Sequence, residues 1–287
     1  MQNKDTKIID SYQLALHEME LADVSHLHEL SIAVRWPHRP EDWIFLLEHG
    51  KGLIAKDEIG RLVGTAMWIS YGPQKGNICM VITSPRFQTL GAARWLMEKI
   101  VVQMDGRDKS LIATKQAYRL YISMGFKPDC SIFQHNGVVH QAPKAPDHAR
   151  PITLEDHEAI LALDFEATGL VRTALIKHIL RVAEGTVITS AGQVTGFALC
   201  RPFGRGHVVG PIVASSQEDA IALLDPIVKA YQDKFLRVDT AFDGPLRDYL
   251  TATGMVHFDT ATQMAFGNPI VPNGSVSSYA IVSQAFG

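Results

Sequence analysis

Apolar positions in this chain alternate between short unbroken runs and helical repeats. Residues 78–82, Ile-Cys-Met-Val-Ile, form an apolar run of strand length, and Pro85 ends it. Beyond a polar turn, Leu96, Ile100 and Val101 recur at helical spacing, so the segment that the turn opens predicts a helix. Leu111-Ile112-Ala113 predicts a short strand, and residues 116–124 a short helix closed by Gly125. Earlier, Gly60-Arg61-Leu62-Val63-Gly64 reads as a hairpin turn leading into the apolar strand 65–69. Strands and helices of this kind in alternation predict an α/β fold with a mixed sheet.

The same pattern returns in the second half. Leu21-Ala22-Asp23 matches Leu154-Glu155-Asp156 at an offset of 133, and Gly60 to Gly64 matches Gly192 to Gly196 at 132. Gly76-Asn77-Ile78 matches Gly206-His207-Val208 at 130, and Gly125-Phe126 matches Gly254-Met255 at 129. Offsets that drift slowly in fixed order predict a duplicated domain. The alternative is two unrelated α/β modules with similar turns. The polar, Pro-rich Ala142-Pro143-Lys144-Ala145-Pro146-Asp147 divides the halves. The expected organisation is a first domain over 1–141, a linker over 142–149, a second domain over 150–267 and an ordered tail over 268–287. Tyr279, Ile281, Val282 and Phe286 make that tail too apolar for disorder, and it is expected to dock as an edge strand.

The turn at residues 88–93, Gln-Thr-Leu-Gly-Ala-Ala, carries the chemistry. A helix start leaves several backbone N–H groups without partners, and these together with the helix dipole attract a phosphate. Gly91 has no Cβ to hold the backbone off, and Ala93 is small enough for close helix packing. Read alone, the turn also serves as ordinary strand-to-helix punctuation.

Together with Leu120-Tyr121-Ile122-Ser123-Met124-Gly125-Phe126, the turn resembles the signature of the GCN5-related N-acetyltransferases (GNAT), Gln/Arg-x-x-Gly-x-Gly/Ala followed by Leu-Tyr-x-x-x-Gly-Phe. Thr89 stands where the family usually has Gly, and Leu90 where a basic residue is common. The resemblance implies tandem GNAT folds, each a twisted, mostly antiparallel sheet with a splayed parallel pair flanked by helices. It implies acetyl-CoA as cosubstrate, held by Ile82, Thr83, Ser84, Gln88, Thr89, Leu90, Gly91, Ala92, Ala93, Arg94, Thr114 and Gln116. A backbone N–H near Ile82 would polarise the thioester, and Tyr121 would be the general acid. An acceptor site in this family falls after the first helix, here around Trp36, His38, Asp42 and Trp43, with Trp68 and Tyr71 completing the wall; packing of the tryptophans at a helix corner is the alternative. The strand 77–82 carries no acid, which leaves His38, Asp42 or water to take the amine proton. Cys79 reads as a buried, inert thiol.

The second copy departs where the chemistry lies. Gly210-Pro211-Ile212-Val213-Ala214-Ser215-Ser216-Gln217-Glu218-Asp219 has no glycine after Pro211, and Glu218 and Asp219 would repel a pyrophosphate at the helix start. Leu250 stands at the counterpart of Tyr121. The whole resembles a bacterial tandem-GNAT group with a divergent C-terminal domain.

Composition narrows the rest. A charge of −3 over 287 residues offers no basic surface for nucleic acid. The apolar runs are shorter than a membrane span, and the amino terminus lacks the apolar core of a signal peptide. Three scattered cysteines imply a reducing, cytoplasmic setting and no disulfide framework, and the twelve histidines form no metal pattern. The expected activity is transfer of an acetyl group to the primary amine of a small molecule, by direct attack in a ternary complex. A non-catalytic acyl-CoA sensor on the same scaffold is the alternative, and the chain is expected to be a monomer or homodimer.

Overall fold

The computed structural model describes residues 6–140, 143, 145–269 and 274–287. The expected linker and tail lie partly outside these residues, as does most of the amino-terminal segment. The chain packs as two compact units, Met1–Leu111 and Ile112–Gly287.

In the first unit, β1 (Thr6–Ile9) and β2 (Tyr12–Glu18) form a hairpin, followed by α1 (Val24–Ala33) and α2 (Pro40–His49). Then come β3 (Gly50–Lys56), β4 (Leu62–Ser70), β5 (Lys75–Thr83), α3 (Ala92–Gln103) and β6 (Asp108–Ala113). The strands lie in sequence order, all antiparallel except β5 with β6. That parallel pairing runs only from Lys75↔Asp108 to Ile78↔Leu111, while β5 continues to Thr83 against β4. Helix α3 buries Trp95, Leu96, Met97 and Ile100 and leaves Glu98 exposed, in keeping with the helical spacing read from the sequence. Each such side chain, once buried, stabilises the unit by about 1.5–3 kcal/mol.

The second unit holds α4 (Tyr118–Ser123), β7 (Lys127–Val138), β8 (Ala149–Pro151), α5 (His157–Thr168), α6 (Thr173–Val182), β9 (Glu184–Ser190) and β10 (Gln193–Phe203). It continues with β11 (Gly206–Ala214), α7 (Gln217–Ala230), β12 (Phe235–Thr240), α8 (Pro245–Ala252), β13 (Val256–Phe266) and β14 (Ser277–Ala280). Its strand order is β13-β7-β12-β11-β10-β9-β8, with β14 added to β11. Among its described residues, only β11 and β12 pair in parallel.

The repeat is visible atom by atom. A Cβ on Gly64 would stand 2.8 Å from the Ile82 carbonyl and 3.1 Å from Leu96 Cδ1; on Gly196 it would stand 2.9 Å from the Val213 carbonyl and 3.3 Å from Leu223 Cδ1. Both glycines therefore let a central strand sit against its neighbour and the following helix. The Asp23 and Asp156 carboxylates likewise close matching turns, accepting from the backbone N–H of Glu20 at 3.0 Å and of Thr153 at 2.8 Å.

The packing division at 111/112 differs from the repeat division near 141. The reason is β7: it belongs to the first repeat by sequence, yet it pairs antiparallel with β12 on one edge and β13 on the other. The tail also differs from expectation. It does not lie on a sheet edge; β14 enters the interior where β11 and β12 diverge, because that gap offers unpaired backbone on both sides.

Candidate active site

Beyond its parallel pairing, β5 carries a bulge. Thr65 faces Ile82 and Met67 faces Cys79, so Ala66 opposes both Met80 and Val81. Met80 takes φ +50°, and its carbonyl accepts a 2.7 Å hydrogen bond from the buried Thr65 hydroxyl. A bulge interrupts the ladder and turns backbone groups away from it. At the strand end, the buried Thr83 Oγ1 has no hydrogen-bond partner among the described residues.

The turn that follows is anchored at one point and open elsewhere. Phe87 is buried, with its ring 5.0 Å edge-on from Tyr12. The Gln88 side-chain amide donates to the Thr83 carbonyl at 3.3 Å. Thr89 adopts φ +68° and Gly91 φ +98°, so a β-branched residue holds the left-handed conformation that glycine usually supplies. Nothing lies within 4 Å of a Cβ built on Gly91. Helix α3 starts with no side-chain cap, and its first bond runs from the Trp95 N–H to the Gly91 carbonyl at 3.1 Å. The N–H groups of Ala92 and Ala93 thus have no acceptor within the helix. Residues 88–91 are exposed. An uncapped, accessible helix start with a free hydroxyl behind it suits an anionic group such as a phosphate.

The second unit has the same frame without the opening. Its bulge places Leu199 opposite both Gly210 and Pro211, and Pro211 has no N–H to offer. Only residues 215 and 216 separate β11 from α7, against residues 84–91 in the first unit. Ser216 caps α7 by accepting from the Asp219 N–H at 3.0 Å. Asp219 itself accepts from Ser215 at 2.8 Å and Ser216 at 3.0 Å, and pairs with His148 at 3.2 Å. Burial raises the Asp219 carboxyl, but those hydrogen bonds outweigh it and hold it below its ordinary value. The helix start is thus filled by the chain's own groups, including a carboxylate. Tyr249, next to Leu250, is buried with its hydroxyl on Asp225 at 2.9 Å.

Of the other expected residues, Thr114, Gln116 and Tyr121 fall in the second unit. Thr114 closes the turn before α4, its carbonyl accepting from Ala117 and Tyr118. Gln116 is exposed; Tyr121 is buried, with its ring 6.0 Å from Phe126. Around α2, His38 lies between Trp36 at 5.7 Å and Trp43 at 6.2 Å. Trp43 is fully buried and donates to Ser31 at 3.0 Å. Asp42 is also buried, and its carboxylate closes the start of α2 by accepting from the Arg39 N–H at 2.8 Å and its guanidinium at 3.0 and 3.1 Å. Trp68 does not join this cluster: its indole donates to Gln103 on α3 at 3.1 Å, and Arg107 covers its ring. Cys79 is buried, which pushes its thiol far above the ordinary range and leaves no thiolate at neutral pH.

Sequence reasoning missed the Thr65–Met80 bulge. A positive φ at methionine leaves no signal in a single sequence.

Two family models, both described as acetyltransferase (GNAT) domains, match residues 40–143 and 160–280. The chain belongs to the GNAT superfamily and carries two such domains in tandem. A search of curated proteins returned no match. Among solved structures, a putative acetyltransferase from Pyrococcus horikoshii superposes with a TM-score of 0.79 at 17% identity, covering 96% of each chain. A GCN5-related N-acetyltransferase from Sphaerobacter thermophilus gives 0.66 at 16% identity, over 91% of this chain and 96% of that one. A tandem GNAT protein from the clavulanic acid biosynthesis pathway gives 0.63 at 13%, over 89% and 99%. At these identities the likeness is one of fold. The fold and domains are those of an acetyltransferase. No helix among the described residues is long and apolar enough to cross a membrane.

Proposed function

We propose that the chain is an acetyl-CoA-dependent N-acetyltransferase whose cosubstrate binds the first copy alone. The observation that carries this reading is the uncapped α3 start beside the bulged end of β5, set against the capped, acid-filled α7 start of the second copy. Acetyl-CoA, when bound, supplies the acetyl group as a thioester. The N–H groups of Ala92 and Ala93 hold its pyrophosphate, with Gln88, Thr89, Leu90, Gly91 and Arg94 shaping the turn. The backbone N–H groups around Ile82 follow the bulge, and one polarises the thioester carbonyl, the Ser84 N–H being taken by the Val63 carbonyl at 2.8 Å; such a donor is worth about 2.7–4 kcal/mol in the transition state.

The acceptor is the neutral amine of a small molecule. Its nitrogen bonds to the carbonyl carbon, the carbon–sulfur bond breaks, and the departing sulfur takes a proton. Family resemblance assigns that proton to the Tyr121 hydroxyl, since a phenol stays protonated at neutral pH. The Asp42 carboxylate is engaged as the α2 cap and β5 carries no acid, so the amine proton leaves to water or to His38. Trp36 and His38 are the side chains proposed to line the acceptor site.

The test is thiol release from acetyl-CoA with a panel of amines, beside calorimetric titration of acetyl-CoA. One equivalent bound with amine-dependent thiol release supports the reading, and failure to bind acetyl-CoA removes it. The absence of an acid on β5 favours a second reading, a non-catalytic acyl-CoA sensor. Tight binding without turnover on any amine would select that one.

A further inference from the structure

The gap between β11 and β12 is occupied by the chain itself. The two strands pair only at His207↔Leu236 and Val208↔Arg237 and then diverge. Into the divergence runs β14, antiparallel to β11, with Ile212 opposite Ala280, Val213 opposite Ser278 and Ala214 opposite Ser277. On its far side, the Ile281 N–H donates to the Asp239 carbonyl of β12 at 3.0 Å. One strand thus satisfies backbone groups of both neighbours. The seat is enclosed: Ala280 and Val282 are fully buried, and Ile281, Ser283 and Phe286 nearly so. Gly210 makes the approach possible, because a Cβ there would stand 2.0 Å from the Ile281 carbonyl oxygen and 3.3 Å from that of Val282. Further on, Gln284 reaches Gln134 and Asp239, and Arg172, locked to Asp164 by two 2.8 Å bonds, donates to the Gly287 carbonyl at 3.1 Å. Before the strand, Glu166 accepts from the Ser275 N–H at 2.9 Å.

We propose that the gap between β11 and β12 is a peptide-binding groove whose resident ligand is the chain's own segment 275–287, bound by strand addition, and that this segment completes the second unit in place of any cosubstrate. Strand addition draws affinity from main-chain hydrogen bonds and selectivity from alternate side chains. Here the main-chain bonds run to β11 and β12, and the selective contacts are small or apolar side chains. The proposal stands on the second unit alone and does not depend on the first copy being an active transferase.

The test uses the full chain and hydrogen exchange. In the wild type, the Ile281 amide and those of residues 277–283 should exchange at least 100-fold more slowly than in the free peptide. Gly210→Val should remove that protection while the β10–β11 ladder keeps its own. Ile281→Asp should displace the segment and leave the groove intact, so a synthetic peptide of residues 275–287 should bind that variant saturably. The same peptide should not bind the wild type, whose groove is filled, or Gly210→Val, whose groove is blocked. Free-peptide exchange rates in the wild type, or full tail protection in Gly210→Val, would overturn the proposal. If Gly210→Val does not fold, the Ile281→Asp arm decides alone, and failure of the peptide to bind there overturns it. Uptake of a second equivalent of acetyl-CoA by Ile281→Asp would also overturn it, since the gap would then be a cosubstrate cleft.

Discussion

Placing one carboxylate at the turn before α3 should convert the first copy's opening into something like the second copy's. Gly91→Glu makes that change at a position where the effects separate. Gly91 sits at φ +98° with nothing within 4 Å of its would-be Cβ, so a side chain meets no steric clash in the protein. The left-handed backbone costs an L-residue about 1–2 kcal/mol. A carboxylate at a helix start returns about 0.3–1 kcal/mol through the dipole, so the variant should remain folded with a modestly lowered Tm. Binding is affected differently. A negative charge about 6 Å from a phosphate charge opposes it by roughly 0.7 kcal/mol at the dielectric of water and roughly 2.8 kcal/mol at an effective dielectric of 20. The turn is exposed, so the true figure lies between these limits, and affinity for acetyl-CoA should fall about 3- to 100-fold. Gly91→Ala is the control: it carries the strain without the charge, and its affinity should fall less. Raising the salt to about 0.5 M should restore part of the Glu variant's loss and none of the Ala variant's, because screening acts on charge alone. Calorimetry with both variants at two salt concentrations reads all of this. A folded Gly91→Glu protein with wild-type affinity would falsify the pyrophosphate assignment.

Other expectations follow from the same geometry. Tyr121→Phe keeps the buried ring against Phe126 and removes only the hydroxyl; kcat should fall about 10²–10⁴-fold with little change in KM for acetyl-CoA, and wild-type turnover would end the general-acid role. Arg172→Met leaves the buried Asp164 carboxylate without its bidentate partner, which should cost about 3–5 kcal/mol in chemical denaturation; a loss below 1 kcal/mol would contradict the burial. The Arg150 hydrogen bonds hold Asp156 well below the usual carboxylate range, helped by bonds from Thr153 and opposed by burial. A depressed folded-state pKa gives stability that is present above the unfolded value near 4 and is lost as pH falls below it. Asp156→Asn should therefore flatten the acid limb of a Tm-versus-pH curve and lower the plateau at pH 7; parallel curves would refute the pairing. Burial raises the Cys130 thiol to about 11 and that of Cys200 to about 12, with Cys79 higher still. Native protein at pH 8 should thus react slowly with Ellman's reagent and release all three thiols on denaturation.

What was legible in the sequence was local. The start of α3 and the turns at residues 21–23 and 154–156 depend on neighbours a few residues away, and punctuation and periodicity record such neighbours. The filling of the α7 start was equally legible, because Ser216, Glu218 and Asp219 lie side by side. Asp42 shows how one signal serves two readings. An acid near two tryptophans suggested an amine site, but Arg39-Pro40-Glu41-Asp42 also spells a helix start with Pro at its first position, and the carboxylate is spent on that cap. Pairing between distant strands left no trace. The apolar run at residues 279–282 announced an ordered strand, yet its seat depends on where β11 and β12 part, which no local pattern encodes. The same holds for β7, whose partners begin about a hundred residues further on.

That distant pairing yields a further prediction, about how the chain can be cut. A fragment of residues 1–145 follows the repeat boundary, so it would be the natural choice for isolating the first copy. It would keep β7 and remove both its partners. Twelve residues of strand would lose β12 on one edge and β13 on the other, from Phe235↔Val138 through Ala265↔Lys127. Ile132, fully buried in the intact chain, would be exposed along with two rows of unpaired N–H and C=O groups. A strand open on both edges with apolar residues on its face is a template for aggregation. The 1–145 fragment should therefore elute as large aggregates in size-exclusion chromatography and bind thioflavin T. Replacing Ile132 with Lys should shift it toward smaller species, because a charge on an open strand opposes edge-to-edge pairing. A monodisperse, cooperatively melting 1–145 fragment would show that β7 finds its pairing within the first repeat and that the strand exchange does not hold the chain together.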